Sequence, residues 1–386
     1  MADHNILYEF GKNKIEPWVG ENPYAHETDR AIFQEAGRLG LIGCDIGLES
    51  STDDSLLMKK FSMATICGFF DANVTLSLIN SGNVAKKMLS SSQDEKVISL
   101  AEKIRGGGCV ACTAITEDSS GSAVSSLSTY ARRHQDGWLL HGSKSWIINA
   151  TIADYILVYA QIHDDRGATD QWGAFLVAKD SKGFSVTATR LDGAEGLGLG
   201  AVSLNNVMIP SWCCMIANDR AKKLLLHELN EARAYVAALA VGVMDRLCEE
   251  TITYASQRQI GVDVLVHLSG WRSMMADAQS DLFVLSTALK QLPPDMLGKQ
   301  QFPKVAAQLK LMATNMLQRH VPAFMHTHGA QGLLSHGRVL RIAKFVSIIG
   351  LIDGATEVLQ DRVVRSVLNT RNSQKGNAEP GSGKQR

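Results

Sequence analysis

The sequence predicts a mainly α chain with a central β domain, because its hydrophobic period changes twice. From Glu27 to about Ser99, in AIFQEAGRLGLIG and SLLMKKFSMATICGFFDANVTLSLINSGNVAKKMLSS, apolar residues recur at three and four, the period of a helix face. Gly106 to Gly108 punctuate the chain, and short β-rich runs follow as far as Pro210. Beyond Pro210 the helical period returns and holds to Leu368. We therefore expect a helical domain over residues 1–111, a β domain over 112–215, a helical bundle over 216–370 and a disordered tail over 371–386.

The β runs are CVACTAITE, GWLLHGSKSWIIN, DYILVYAQI, WGAFLVAKD, FSVTATRLD and AVSLNNVMIP, with turns at Asp136-Gly137 and Lys182-Gly183. That spacing suits an antiparallel barrel or sandwich. The later helices are KKLLLHELNEARAYVAALAVGVMDRLCEETITYASQRQ, LSGWRSMMADAQSDLFVLSTALKQL, KVAAQLKLMATNMLQRHVPAFMHTHG, VLRIAKFVSIIG and LIDGATEVLQDRVVRSVL. Short connections between them predict antiparallel neighbours. The closing NSQKGNAEPGSGKQR is polar and glycine-rich, hence the expected disorder.

At 386 residues two or three packed units are the natural expectation. Lys+Arg 39 against Asp+Glu 39 gives no electrostatic reason to bind nucleic acid or an anionic membrane. The start, MADHNILYEFGKNKIEPW, lacks a basic segment followed by an apolar run. No apolar stretch reaches about 18 residues, so a cytoplasmic location is expected. Seven cysteines, an odd number without framework spacing, read as reduced thiols.

Several motifs have a plain structural reading. Cys109 and Cys112 form C-x-x-C without the second pair that zinc requires. His326 and His328 do not share a helical face, and with His336 they make no metal site. Gly196-Leu197-Gly198-Leu199-Gly200-Ala201 satisfies G-x-G-x-x-A, but a strand follows it rather than the helix that would hold a pyrophosphate. We read it as a mobile loop between strands.

The stretch Thr113 to Ala160 is more informative. Thr116, Ser119, Ser120 and Ser122 place hydroxyls and backbone N–H groups in a turn, and Trp146 supplies an aromatic face in the next strand. The pairing suits a planar, hydrogen-bonding ring. Near the C-terminus, Asp353 and Glu357 stand four apart where a loop becomes a helix. Asp followed by Gly is a good N-cap, and locally a cap and a catalytic base read alike.

The order T-E-x-x-x-G-S, then D-G-W-x-L-x-G-x-K-x-W-I-x-N-A, then A-D, resembles the middle domain of the acyl-CoA dehydrogenase family. AFLVAKDSKGFSV, NNVMIP, ARAYVAALAVG, YASQRQIG, GAQGL and D-G-A-T-E continue the resemblance from about Leu39 to Leu368. It implies an N-terminal helical domain, a middle β domain and a C-terminal four-helix bundle, with FAD between them. By similarity Ile115, Thr116, Ser122, Trp146 and Ile148 surround the isoalloxazine, Ser122 also touching substrate. Arg258 and the region of His326 and Ala330 meet the pyrophosphate across a subunit interface, and Glu357 contacts flavin. The resemblance thus implies a homodimer or homotetramer.

It also implies oxidation of an acyl thioester, with an α-proton passing to a base and a β-hydride to flavin. Relatives place a glutamate where Asp353 falls, so the base is Asp353, retracted by roughly 1 to 1.5 Å. The position that carries the base in other relatives is Ala232. Arg233, beside it in an apolar helix, reads as half of a buried ion pair or as a substrate contact. Ala123, Ile148 and Lys344-Phe345 replace other family residues. The resulting expectation is a dehydrogenase of a short or functionalised acyl group, carried by CoA or a carrier protein and suited to biosynthesis, with its electron acceptor unspecified. An oxidase of the nitroalkane oxidase kind, which uses an aspartate, and a non-catalytic member are the alternatives.

Overall fold

A computed structural model describes residues 2–47, 55–118 and 127–376. The first third is helical: α1 (Ala2–Phe10), α2 (Glu16–Glu21), α3 (Arg30–Arg38), α4 (Ser55–Phe70), α5 (Ala72–Ser91) and α6 (Glu95–Arg105). Helices α1 and α2 fall within the helical domain expected over residues 1–111, ahead of Glu27, where the helical period begins. A π-helical turn, Gly11–Ile15, joins them and keeps Leu7, Phe10, Ile15 and Val19 on the buried side. Gly11 lies against the Phe70 ring so closely that a β-carbon there would sit 2.0 Å from it. Each of α3, α5 and α6 starts on an aspartate cap, Asp29, Asp71 and Asp94, whose side chain accepts a backbone N–H of the first turn, satisfying a donor the helix cannot.

The middle part is one sheet, with strands β1 (Ala111–Ala114), β2 (Tyr130–His134), β3 (Gly137–Ile147), β4 (Tyr155–Asp164), β5 (Gly167–Ala178), β6 (Phe184–Ala188), β7 (Gly200–Pro210) and β8 (Cys214–Asn218). Their order is β6-β7-β3-β2-β4-β5-β8, with β1 also on β4. Most neighbours are antiparallel, as the alternation predicts. The expectation of a purely antiparallel array fails at β1 and β2, which both run parallel to β4. The chain leaves that edge of β4 after Ala114 and returns to it at Tyr130 in the same direction, so both pairings must be parallel. The excursion between them carries the site loop.

The last part is the bundle: α7 (Arg220–Gln257), α8 (Ser269–Lys290), α9 (Phe302–His328), α10 (Arg338–Ile349) and α11 (Thr356–Gly376), with a small hairpin of β9 (Gln259–Ile260) and β10 (Asp263–Val264) after α7. Helix α7 packs on α4, α8 and α9. Helix α11 runs to Gly376, so the tail expected to be disordered from residue 371 is helical over its first six residues. No helix among the described residues is long and apolar enough to cross a membrane.

Candidate active site

Strand β3 would carry Trp146 through in regular register, but its pairing with β7 slips between Lys144 and Ile147. Ser145 and Trp146 form a bulge, which re-aims a side chain. Ser145 N–H, freed from the ladder, donates to Thr116 O at 2.9 Å. Trp146 takes φ +60, a conformation costing a non-glycine residue about 1–2 kcal/mol, and its ring remains 54% exposed. Ile115, Thr116 and Ile148 are half-buried. Ser122, expected on cofactor and substrate, lies outside the described residues.

A buried lysine fixes this loop. Lys144, 0% exposed, donates to Ile115 O at 2.9 Å and to Glu117 Oε1 at 2.7 Å. Glu117 also accepts from Ser128 N (2.7 Å), Ser128 Oγ (2.5 Å) and Thr129 N (3.0 Å), pinning both ends of the excursion. Burial alone would raise the Glu117 carboxyl, yet the Lys144 ammonium and the Ser128 donors outweigh it and hold it down at about 2.

On the bundle side, α10 ends at Ile349 and α11 begins at Thr356. Asp353 lies between them at φ +53, followed by Gly354 at φ +110. It stands three residues before the helix, so it is not the N-cap that Asp-Gly suggested. The helix start is met by Gly350 O, which accepts Thr356 N–H at 3.1 Å. Two buried cations grip the turn by its backbone. Lys310 of α9 donates to Ile352 O and, at 2.6 Å, to Gly354 O, while Arg233 Nε of α7 donates to Asp353 O at 2.9 Å. Among the described residues the Asp353 carboxylate has no ion-pair partner and accepts no hydrogen bond. Burial raises its pKa, with Lys310 and Arg233 pulling the other way.

Of the two expectations for Arg233, the substrate contact stays an expectation and the ion pair is not formed. Arg233 bonds a peptide carbonyl and Asn230 Oδ1 instead, with no carboxylate in ion-pair range among the described residues. Burial and the charge of Arg362 bring its pKa down to about 10.

The two sides are joined through the glycine run. Asn149, three residues past Trp146, bonds Leu197 O through its backbone N–H at 2.7 Å and exchanges side-chain hydrogen bonds with Ser77 of α5. Gly193 packs on Lys344 and Ile348 of α10, the helix leading to Asp353. Ala194, Leu197 and Leu199 are buried, so the segment expected to be mobile is a packed anchor. Gly193, just before it, takes φ +91 where it meets α10, and Gly196 and Gly198 within it take φ +90 and +56.

The remaining expected cofactor residues lie apart. Arg258 caps the end of α7, and His326 and Ala330 stand at the end of α9 and in the turn after it, all exposed. The Tyr254 and His328 rings, 4.7 Å apart, hold those ends together. Counting residues along α9 from Lys310 to His328, this end is roughly 27 Å from the Asp353 turn. Glu357 is exposed in the first turn of α11, where a carboxylate complements the helix dipole. Among the described residues no group of His, Cys, Asp and Glu forms a metal site, and all seven cysteines are free.

Sequence reasoning missed Lys310, Lys144 and Glu117 as site-forming groups. For Lys310 the available signal was a lysine inside the apolar run VAAQLKLMATNML, since a buried ammonium demands partners.

Residues 112–207 match the family profile "Acyl-CoA dehydrogenase, middle domain", and residues 223–368 match "Acyl-CoA dehydrogenase, C-terminal domain". The mitochondrial long-chain specific acyl-CoA dehydrogenase of Sus scrofa is 21% identical over 383 residues, covering 95% of this chain and 87% of the relative. Benzylmalonyl-CoA dehydrogenase of Aromatoleum aromaticum is 25% identical over 383 residues, covering 95% and 97%. A glutaryl-CoA dehydrogenase from Mycobacterium smegmatis, solved in complex with FADH2, superposes with a TM-score of 0.84 at 19% identity, covering 95% of this chain and 94% of that one. The chain belongs to the acyl-CoA dehydrogenase family, FAD-dependent oxidoreductases that act on CH–CH groups of acyl-CoA substrates. The residues present fit that cofactor: Trp146, 54% exposed on left-handed backbone, with its neighbour Ser145 bonded to Thr116 O and Ile148 two residues on, offers aromatic surface for a flat ring.

Proposed function

We propose that this chain is a dehydrogenase of a short or functionalised acyl thioester and that Asp353 is its base. The carrying observation is the Asp353 carboxylate itself, half-buried, raised above the ordinary carboxylate range and unpaired, on a turn whose carbonyls are tied to Lys310 and Arg233. A base poised in this way suits removal of a proton made acidic by an adjacent thioester carbonyl. Asp353 Oδ takes the α-proton, and the electron pair of that C–H bond forms the Cα=Cβ double bond as the β-hydrogen departs with its pair. FAD, when bound, accepts that hydride. Trp146, Ile115, Thr116 and Ile148 orient the ring, and Glu357 supports it from the start of α11. The aspartate, one methylene short of the family's usual glutamate, favours an acyl group whose α-carbon sits closer to the bundle, and so a short or substituted one.

Arg258, His326 and Ala330 are too far from Asp353 to serve the same cofactor, so we assign them to the cofactor of a second copy. Exposed Phe283 and Val284 on α8, with Leu333 and Leu334 after α9, supply the apolar surface that a homodimer or homotetramer would cover.

The test is anaerobic flavin bleaching across short, substituted and long acyl-CoA and acyl-carrier-protein thioesters, with oxygen uptake followed in parallel. Bleaching by short or substituted thioesters supports the reading. Peroxide release with a non-thioester substrate would select an oxidase instead. Asp353→Asn should keep FAD and the fold while lowering turnover by about 100-fold or more; near-normal turnover in that variant removes Asp353 as base.

A further inference from the structure

We propose that Lys310 is a positioning residue for this reaction: its ammonium holds the left-handed turn that presents Asp353, by binding the carbonyls on either side of the base and leaving the carboxylate free. The inference rests on Asp353 being the base. Lys310 lies in α9 among Ala306, Leu309, Ala313 and Thr314, 1% exposed. An ammonium in such surroundings must find partners, and the nearest charge-compensating arrangement would be an ion pair with Asp353. That pair is not made. The ammonium goes to Ile352 O and Gly354 O, and Arg233 takes the carbonyl between them.

Three consecutive carbonyls therefore point at two cations carried by two different helices. Fixing successive peptide planes fixes the dihedrals between them, which is how φ +53 at Asp353 and φ +110 at Gly354 are held together at the edge of the protein, where Leu351 is 66% exposed. The arrangement separates two tasks. The cations orient the backbone of the base, and the carboxylate, with no direct partner, keeps its capacity to take a proton.

The charged groups facing Lys310 are Asp353 of the turn and Arg233 of α7, with Arg362 of α11 acting on Arg233. Lys310 also lowers the Asp353 pKa, so its removal has a second, electrostatic signature. A role confined to joining α9 to the α10–α11 junction has none.

The experiment compares Lys310→Met, Lys310→Arg and Lys310→Gln as FAD-loaded enzymes with the thioester that bleaches the parent. For Lys310→Met we expect kcat to fall by about 100-fold, the loss that a misplacement near 1 Å causes, with KM within about twofold. The acid limb of kcat/KM should move to higher pH, and Lys310→Arg should recover part of kcat. Parent-like kcat and an unmoved limb in Lys310→Met would overturn the proposal. If Lys310→Met does not fold, Lys310→Gln, a neutral donor, decides by the same limb: a move upward supports the proposal and an unmoved limb overturns it. Asp353→Asn separates the two readings. Normal turnover in Asp353→Asn defeats the base assignment, whereas an inactive Asp353→Asn beside a parent-like Lys310→Met defeats the positioning role alone.

Discussion

On the β side of the site, the Lys144 ammonium lies 2.7 Å from Glu117 and 2.9 Å from Ile115 O, so charge meets charge and the loop is closed. On the bundle side, Lys310 has carbonyls as its hydrogen-bond partners, Ile352 O and Gly354 O, and the nearby carboxylate stays unpaired. Both lysines support a residue at positive φ, Trp146 in one case and Asp353 in the other. The difference follows from what each residue must do. Trp146 needs only to present a fixed face, so neutralising its support costs nothing in function. As the proposed base, Asp353 would have to exchange a proton, and a direct ion pair would pull its pKa down and weaken it in that role.

The largest expected effect is on the closed side. Removing one partner of a buried pair leaves the other charge uncompensated, at a cost of about 3–5 kcal/mol. Glu117→Gln should therefore lower stability by about that much in denaturant unfolding, and it should loosen FAD at the same time because one of the two oxygens becomes an NH2 and the donors of either Ser128 or Thr129 lose their acceptor. A loss under about 1 kcal/mol would show that the pair is not tightly buried in solution, and the contrast with Lys310 would collapse.

The next effect is a difference in pH response. The Glu117 carboxyl is depressed to about 2 from 4.5, so the stability it contributes is complete above about 4.5 and is lost as pH falls from there through 2. The Asp353 carboxyl is raised above 3.8, so it takes up its proton, and ceases to be a base, at higher pH than an ordinary aspartate. Acidification should thus abolish turnover while the fold persists. Circular dichroism and rate measured on one pH series check this. Coincident loss of both would break the distinction between the closed and the open carboxylate.

The sequence made the division into helical, β and helical parts legible, because periods of 2 and 3.6 are written residue by residue. Tyr254 to Arg258 and Gly329 to Leu333 were legible as motifs for the same local reason. The left-handed turns were not. A tryptophan carries no signal for positive φ, and Trp146 adopts it only because the β3 pairing with β7 slips one residue, which depends on both strands. Asp353-Gly354 reads equally as a cap and as a turn, and the choice is made by Lys310 and Arg233, which stand 43 and 120 positions away in the sequence. Within the expected helical domain, the individual helices α1 and α2 showed no clear period because their apolar positions fit one face only when the π-helical turn at Gly11–Ile15 is known.

The smallest expected effect measures the strain at each position directly. A glycine adopts positive φ freely, while alanine there keeps the penalty of about 1–2 kcal/mol. Against this, glycine gives up roughly 0.5–1 kcal/mol through the greater freedom of its unfolded chain. Trp146→Gly should therefore be more stable than Trp146→Ala by up to about 1 kcal/mol, the loss of the ring being common to both. At Asp353 the same comparison should give a larger difference. Arg233 and Lys310 bind the carbonyls of residues 352 to 354 whatever the side chain is, so alanine there cannot relax out of the left-handed region and keeps its full penalty. Denaturant midpoints for the four variants measure this. A smaller glycine advantage at 353 than at 146 would mean that the two cations do not hold the turn, and that the bulge in β3 is the better-supported of the two.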